Sequence, residues 1–226
     1  MIQAVISSAS FAERRQRLLS QLSEGSVLVL FAAPEALRNG DVHYPFRQNS
    51  YFWYLTGFPE PDAIAVLRKQ GNGVHYTLFN AVRNPELEIW QGKIIGQEGA
   101  LADYEVNEAY PLEEAAQRLP KLLADSTRIY SVLGVNSAND QRLSELLREV
   151  HRLTGRGGAP IEGLFDIRRE LDEMRMIKSI EEQNLLHEAG RISAAGHRAA
   201  LLAARPGAYE YTVQAALEAE FRRHQG

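Results

Sequence analysis

The segment Ser26–Ala32, SVLVLFA, consists of β-branched and aliphatic residues with no alternating polar face. This pattern is typical of a strand that is buried on both faces of a sheet. Two further runs, Asp62–Lys69 (DAIAVLRK) and Val74–Asn80 (VHYTLFN), flank an Asn72-Gly73 pair, which tolerates the positive φ of a tight turn. The sequence therefore predicts a helix-covered sheet that includes an antiparallel hairpin.

Amphipathic segments alternate with these strands along the chain. Ser10–Ser23 opens with a capping-box pattern, and Asn139–Leu153 places its leucines on one face. Pro111–Ala124 is predicted to be a helix that is interrupted or ended near Pro120, and RIYSVL (128–133) is predicted to be another strand. Alternating strands and helices indicate the α/β class.

The character of the chain changes after a Gly/Pro-rich segment, TGRGGAP (Thr154–Pro160), where the sequence predicts a linker that extends to Ser179. Ser179-Ile-Glu-Glu is a second capping box, and it introduces a long helix that ends at an RPG tripeptide. Thr212–His224 is predicted to be another helix. Because no strand accompanies these helices, we expect them to be the opening of a second, incomplete domain.

Composition and charge exclude several classes of protein. The net charge is −4 with both signs interspersed, so no basic face is expected to bind nucleic acid. The absence of Cys excludes disulfide scaffolds, zinc-thiolate sites and a cysteine nucleophile. No signal peptide and no apolar window of about 20 residues is visible, so we expect a cytoplasmic protein that does not enter a membrane.

No complete catalytic motif can be read from the residues alone. The six histidines form no H-x-x-x-H or H-E-x-x-H pattern, and Asp41 and His43 are expected to be a polar pair in a loop. His187 and His197 are ten residues apart on a predicted helix, so they face opposite sides. The glycines of TGRGGAP lack the spacing of a phosphate-binding loop, and no G-x-S-x-G elbow is present.

An aromatic-rich segment, FRQNSYFWYLTGF (Phe46–Phe58), contains six aromatic residues in thirteen. Its polar residues Arg47, Gln48 and Asn49 are able to fix a loop by hydrogen-bonding to the backbone. The following YFWYLTG alternates imperfectly, which predicts a mostly buried strand. We expect this segment to be core and docking face, without catalytic residues.

The same segment lies within a longer one that resembles a known family. YPFRQNSYFWYLTGFPEPDAIAVL (Tyr44–Leu67) resembles the N-terminal domain signature of aminopeptidase P, the Xaa-Pro aminopeptidase of the creatinase/prolidase group. Three further blocks resemble the family in the same order: Leu78–Ala100, Glu170–Leu201 and Arg205–Gly226. The resemblance therefore covers most of the chain.

The resemblance implies a two-domain architecture. Residues 1–173 would form an α/β domain with a mixed sheet of ribonuclease-H-like character. Residues 174–226 would be the first helices of an α+β catalytic domain with the pita-bread fold.

The resemblance also implies an activity, which is release of the N-terminal residue from peptides with proline in second position. The family uses two divalent ions, usually manganese, held by two Asp, one His and two Glu. All five lie C-terminal to the segment that matches Arg205–Gly226, so we expect this chain alone to bind no metal pair and to hydrolyse no peptide. Its expected role is to build a homodimer or homotetramer and to shape the entrance to the active site.

Three residues are candidates for that entrance by resemblance. Trp90 matches a family tryptophan that reaches a neighbouring subunit's active site, although it could instead anchor a strand end in the core. Asp41 matches an aspartate that faces the catalytic domain, where it could pair with an arginine. Arg156 is the nearest counterpart of an arginine close to the entrance, although TGRGGAP differs in length from the family pattern. For both Asp41 and Arg156, a solvated loop charge is favoured over the role that the resemblance implies.

Two other functions stay open. The first is a proline dipeptidase or creatinase-like hydrolase, which the RQNS-FWYLTGF string disfavours. The second is a non-catalytic peptide-binding or chaperone module, since fold alone does not determine function.

Overall fold

A computed structural model describes residues 5–71, 73–155 and 161–224. Ser7–Met174 form one compact unit, and the chain from Arg175 onward belongs to a second. No helix in the described ranges is long and apolar enough to cross a membrane.

The first unit is built on a six-stranded mixed sheet with the order β6-β5-β4-β1-β7-β8. Only β4 is antiparallel to its neighbours, and β2 and β3 form a separate two-stranded hairpin. The strands are β1 Ser26–Phe31, β2 Leu37–Asn39, β3 Val42–His43, β4 Ile64–Gln70, β5 Gly73–Asn80, β6 Glu108–Pro111, β7 Arg128–Ser131 and β8 Gly163–Asp166. The predicted α/β class with a mixed sheet is confirmed, as is the hairpin of β4 and β5.

Helices cover both faces of this sheet. The α-helices described up to Met176 are α1 Ser8–Ser20, α2 Ser50–Thr56, α3 Pro85–Gln91, α4 Gly96–Asp103, α5 Ala115–Leu123, α6 Ser137–Thr154 and α7 Arg168–Met176. Alternate residues of β1 enter two separate cores, with Leu28 packed among α1, α2 and α7 and Val29 packed among α5 and α6. All six residues of β1 are buried, as its apolar sequence predicts.

The aromatic-rich segment is helical, so the strand predicted from its alternation is wrong. The side chain of Asn49 accepts hydrogen bonds from the backbone N–H groups of Tyr51 and Phe52, which caps α2. Gly57 ends the helix with a φ of 63°, and a Cβ there would lie 2.4 Å from the ring of Phe11. These two capping residues determine the local structure more strongly than the alternation between them.

Two predicted helix ends also differ from the structure. The first helix begins at Ser8 because Ser7, and not Ser10, caps it. Pro120 does not end α5, which continues to Leu123. Proline removes one backbone hydrogen bond from the helix, and burial of Leu119 and Leu123 against the sheet offsets that loss.

The linker predicted up to Ser179 is wrong for its described part, residues 161–178. This part contains β8, which pairs in parallel with β7, and α7, which buries Leu171 and Met174. The side chains of Arg17 and Tyr54 both donate to the carbonyl of Met174, at 3.2 and 3.1 Å. A four-residue strand has too little periodicity to be recognised before its partner strand is known.

In the described part of the second unit, the chain forms the helices α8 Ile180–Ala203 and α9 Glu210–Arg223. The predicted capping box is confirmed, since Ser179 accepts from the N–H of Glu182 and the carboxylate of Glu182 accepts from the N–H of Ser179. Gly196 lies against Leu217 and Phe221 where the two helices pack closely.

Candidate functional site

Two of the three candidate residues lie in connections that leave the same edge of the sheet. β1 and β5 are parallel to each other, so their carboxyl ends lie together at what we call the carboxyl edge. The hairpin that contains Asp41 follows β1, and the helix that contains Trp90 follows β5. In open α/β sheets, ligands generally bind outside the carboxyl ends of the strands.

The bases of these two connections are joined by a network of polar groups. Oε1 of Gln48 accepts from the N–H of Ala33 at 2.8 Å, just after β1, while its Nε2 donates to the carbonyl of Glu60 at 2.8 Å. The carboxylate of Glu60 in turn accepts from the N–H of Ile95 at 2.5 Å, just beyond α3. Gln48 and Glu60 therefore hold both connections in position relative to the sheet.

Glu60 is the one member of this network with a perturbed titration. Burial raises the pKa of its carboxyl above the usual value, and the hydrogen bond from Ile95 only partly opposes this shift. Its second oxygen, Oε2, is buried and has no hydrogen-bond partner within the described ranges. Burial at this position therefore disfavours the ionised form of the Glu60 carboxyl.

Trp90 lies on α3 and is 86% exposed, so its alternative role as an anchor in the core is wrong. The side chain of Asn84 caps this helix, and Glu88 accepts hydrogen bonds from the side chain of Arg83 and from the N–H of Ile94. The neighbouring Ile89 is 77% exposed. A short, well-braced helix therefore presents two large apolar side chains to solvent.

Asp41 lies in the turn between β2 and β3, directly after Gly40, which has a φ of 55°. Its side chain makes no ion pair with any residue in the described part of the chain, and it is exposed. His43 faces Glu35 instead, with 3.9 Å between Nε2 and Oε2. The exposed position of Asp41 is compatible with both interpretations, a role toward a partner and a solvated loop charge.

Arg156, the third candidate, lies outside the described residues. Its predicted position near the entrance stays a prediction.

Comparison with known proteins identifies the family of this chain. The family model for the aminopeptidase P N-terminal domain matches residues 11–130, which is more than half of the sequence. The chain belongs to this family. The match contains the connections that carry Asp41 and Trp90.

Relatives in this family match nearly the whole chain. A Xaa-Pro aminopeptidase of Haemophilus influenzae is 40% identical over 98% of this chain and 49% of its own length. A Xaa-Pro aminopeptidase of Escherichia coli is 38% identical over 97% of this chain and 50% of its own length. The chain therefore spans about half the length of these curated relatives.

The fold agrees with a solved relative over the same range. Zinc-substituted aminopeptidase P of E. coli, in complex with product, superposes with a TM-score of 0.91 at 38% identity. The superposition covers 97% of this chain and 50% of that one. The chain thus matches the N-terminal part of Xaa-Pro aminopeptidases in both sequence and fold.

The described residues do not provide a ligand set for the metal pair that the resemblance to aminopeptidase P implies. No group of three His, Asp or Glu side chains in these ranges could hold a metal ion. On α8, His197 approaches the carbonyl of Ser193 at 2.9 Å through Nδ1. No step of a metal-dependent reaction can therefore be assigned to the described residues.

Sequence reasoning found the polar loop residues but missed Glu60. Gln48 and Asn49 bond to the backbone, as predicted. Glu60 stands between two prolines, and its partner Ile95 lies 35 residues away. The flanking prolines indicate a fixed loop, but no local pattern identifies so distant a partner.

Proposed function

We propose that this chain is the N-terminal part of a metal-dependent Xaa-Pro aminopeptidase. The whole protein would release the N-terminal residue from peptides that have proline in second position. The observation that carries the proposal is the agreement of 97% of the chain with aminopeptidase P of E. coli, in sequence and in fold. A cytoplasmic location, as stated above, belongs to the same proposal.

In this proposal residues 1–173 are the N-terminal domain and residues 174–226 begin the pita-bread domain. The boundary between the two compact units at Met174 and Arg175 supports this division. The two divalent ions, manganese by the family pattern, would be held by residues outside the described ranges. A zinc-substituted form of the E. coli relative supports a metal-dependent enzyme.

The proposed role of this chain is to complete the active-site entrance from the carboxyl edge. Trp90 would contribute a flat apolar ring against which a substrate proline can pack. Asp41 would form an ion pair with an arginine of a catalytic domain. Both roles need exposed side chains on braced supports, which α3 and the β2–β3 hairpin provide. Assembly would be a homodimer or homotetramer.

The role of Trp90 is tested by Trp90→Ala in the protein extended to the length of its relatives. We expect kcat/KM for a Xaa-Pro peptide to fall about tenfold, because the variant loses the packing of the ring against the substrate proline. A tenfold fall corresponds to about 1.4 kcal/mol of lost transition-state stabilisation. The urea midpoint should not change, since the ring is 86% exposed. Ile89→Ala, on the same helix, is the matched control. Equal effects of the two variants on kcat/KM would contradict a specific role for Trp90.

A panel of peptides tests the proposed reaction in the extended protein. We expect release of the first residue from Xaa-Pro-Yaa tripeptides and slow turnover of Xaa-Pro dipeptides. A preference for dipeptides would instead identify a proline dipeptidase. Binding of peptides without turnover, together with a missing Asp, Asp, His, Glu, Glu series beyond Gly226, would identify a non-catalytic binding module.

A further inference from the structure

An apolar cleft of about 340 Å³ lies between α5 and α6, on one face of the sheet. Its floor contains Phe31 at the end of β1 and Ile64 at the start of β4, and its walls contain Leu119, Pro120 and Leu146. Clefts that bind small molecules usually have about 300–1,000 Å³ and a mostly apolar lining with few polar groups. The α5–α6 cleft meets both conditions.

Three charged side chains of α6 line the same cleft: Arg142, Glu145 and Glu149. Each carboxylate is paired with a cation of its own helix: Glu145 with Arg148, at 3.9 Å between Oε1 and Nη2, and Glu149 with Arg152, at 2.8 Å between Oε2 and Nε. Arg142 makes no hydrogen bond or ion pair with any residue in the described ranges. The charge that is available to a ligand in this cleft is therefore the positive charge of Arg142.

We propose that the α5–α6 cleft binds a small carboxylic acid with an apolar body. The body would displace water from the surfaces of Phe31, Leu119 and Leu146, which is the main source of affinity. The carboxylate would accept a charge-assisted, two-pronged hydrogen bond from the guanidinium of Arg142. This site is separate from the connections that carry Asp41 and Trp90, so its occupancy does not depend on the proposed peptidase activity.

The proposal is tested with three probes of the same shape: 3-phenylpropionate, 3-phenylpropanol and 3-phenylpropylamine. Binding to the 226-residue chain is followed by calorimetry and by chemical-shift changes of amides in α5 and α6. We expect the acid to bind about tenfold more tightly than the alcohol, which corresponds to one charge-assisted hydrogen bond. The amine should bind most weakly.

Two variants and their matched controls separate the charge from the cavity. Arg142→Gln should remove the preference for the acid over the alcohol, whereas Arg169→Gln, an exposed arginine of α7 outside the lining, should not. Ala116→Phe should fill the cleft and abolish binding of all three probes. Gln117→Phe adds the same ring to α5 outside the lining and should leave binding intact.

The outcomes that overturn the proposal are distinct. Equal binding of acid and alcohol, or tighter binding of the amine, would show that Arg142 does not select the ligand. Binding that survives Ala116→Phe would place the ligand elsewhere. A concentration-dependent dimer that Ala116→Phe abolishes would identify the cleft as a contact between two copies of the chain.

Discussion

Arg14 and Arg15 of α1 carry their charges into the core of the first unit. The guanidinium of Arg14 donates to the carbonyl of Tyr54 at 3.1 Å, and that of Arg15 donates to the carbonyl of Leu55 at 2.9 Å. These carbonyls belong to the last turn of α2, where helical partners are missing and the helix dipole favours positive charge. The Arg15 guanidinium also lies 4.6 Å from the ring centre of Tyr76. Two buried guanidinium groups thus cap the C-terminal end of α2.

Arg15→Met is expected to lower the free energy of unfolding by about 3 kcal/mol, because it leaves buried carbonyls without donors. Urea unfolding of the 226-residue chain measures this loss. Arg152→Met is the matched control, since Arg152 is exposed and its one ion pair among the described residues is with Glu149 of α6. That control should cost less than about 0.5 kcal/mol. Similar losses for both variants would contradict the structural role of Arg15.

Glu60 makes the free energy of unfolding of the first unit depend on pH. Because burial raises the pKa of its carboxyl in the folded state, the folded protein holds that proton more tightly than the unfolded chain does. The contribution of Glu60 to stability therefore falls as pH rises through the interval between the two pKa values. This interval begins near the usual glutamate value and extends above it.

Glu60→Gln should remove that contribution while keeping an oxygen that can accept from Ile95. We expect the free energy of unfolding to decline less from about pH 4 to about pH 7 in the variant than in the parent chain. Urea unfolding across this range provides the measurement, with the exposed Glu86→Gln as control. Parallel curves for the parent and Glu60→Gln would contradict the raised pKa.

At the scale of elements, a helix or strand can be predicted from sequence when its hydrogen-bonding partners lie close to it in the chain. The capping box of α8 is predictable because Ser179 and Glu182 are three residues apart. The strand β8 is not, because its hydrogen bonds come from β7, more than thirty residues earlier. α2 lies between these cases, since Asn49 and Gly57 mark its ends locally but the aromatic alternation between them suggests a strand.

The packing of α8 on α9 provides a test at this scale. Gly196→Ala would bring a Cβ within 2.8 Å of Phe221 Cε1, so it should loosen the helix pair by about 1–3 kcal/mol. Gly190→Ala, on the same helix with open space around it, should instead stabilise the helix by about 0.5–1 kcal/mol. Hydrogen exchange of α9 amides distinguishes the two outcomes. Slower exchange in Gly196→Ala would contradict the close packing.

At the scale of the whole molecule, the fold class and the family can be predicted from sequence, but the exposure of Trp90 and its place at the carboxyl edge cannot. The buried run of β1 and the hairpin of β4 and β5 are local patterns, and both are confirmed. Trp90 is exposed because it lies on the short helix α3, PELEIWQ. From the sequence alone, its apolar residues could equally belong to the end of a strand. Its position at the carboxyl edge with Asp41 follows from strand order, which pairs residues far apart in the chain.

The central claim is that this chain belongs to a Xaa-Pro aminopeptidase whose catalytic metals lie outside the described residues. It is tested by measuring release of the N-terminal residue from a Xaa-Pro-Yaa peptide, with and without added manganese. The measurement compares the 226-residue chain with the protein extended to the length of its relatives. We predict manganese-stimulated release by the extended protein and none by the 226-residue chain. Release by the 226-residue chain alone, or no release by the extended protein, would contradict the claim.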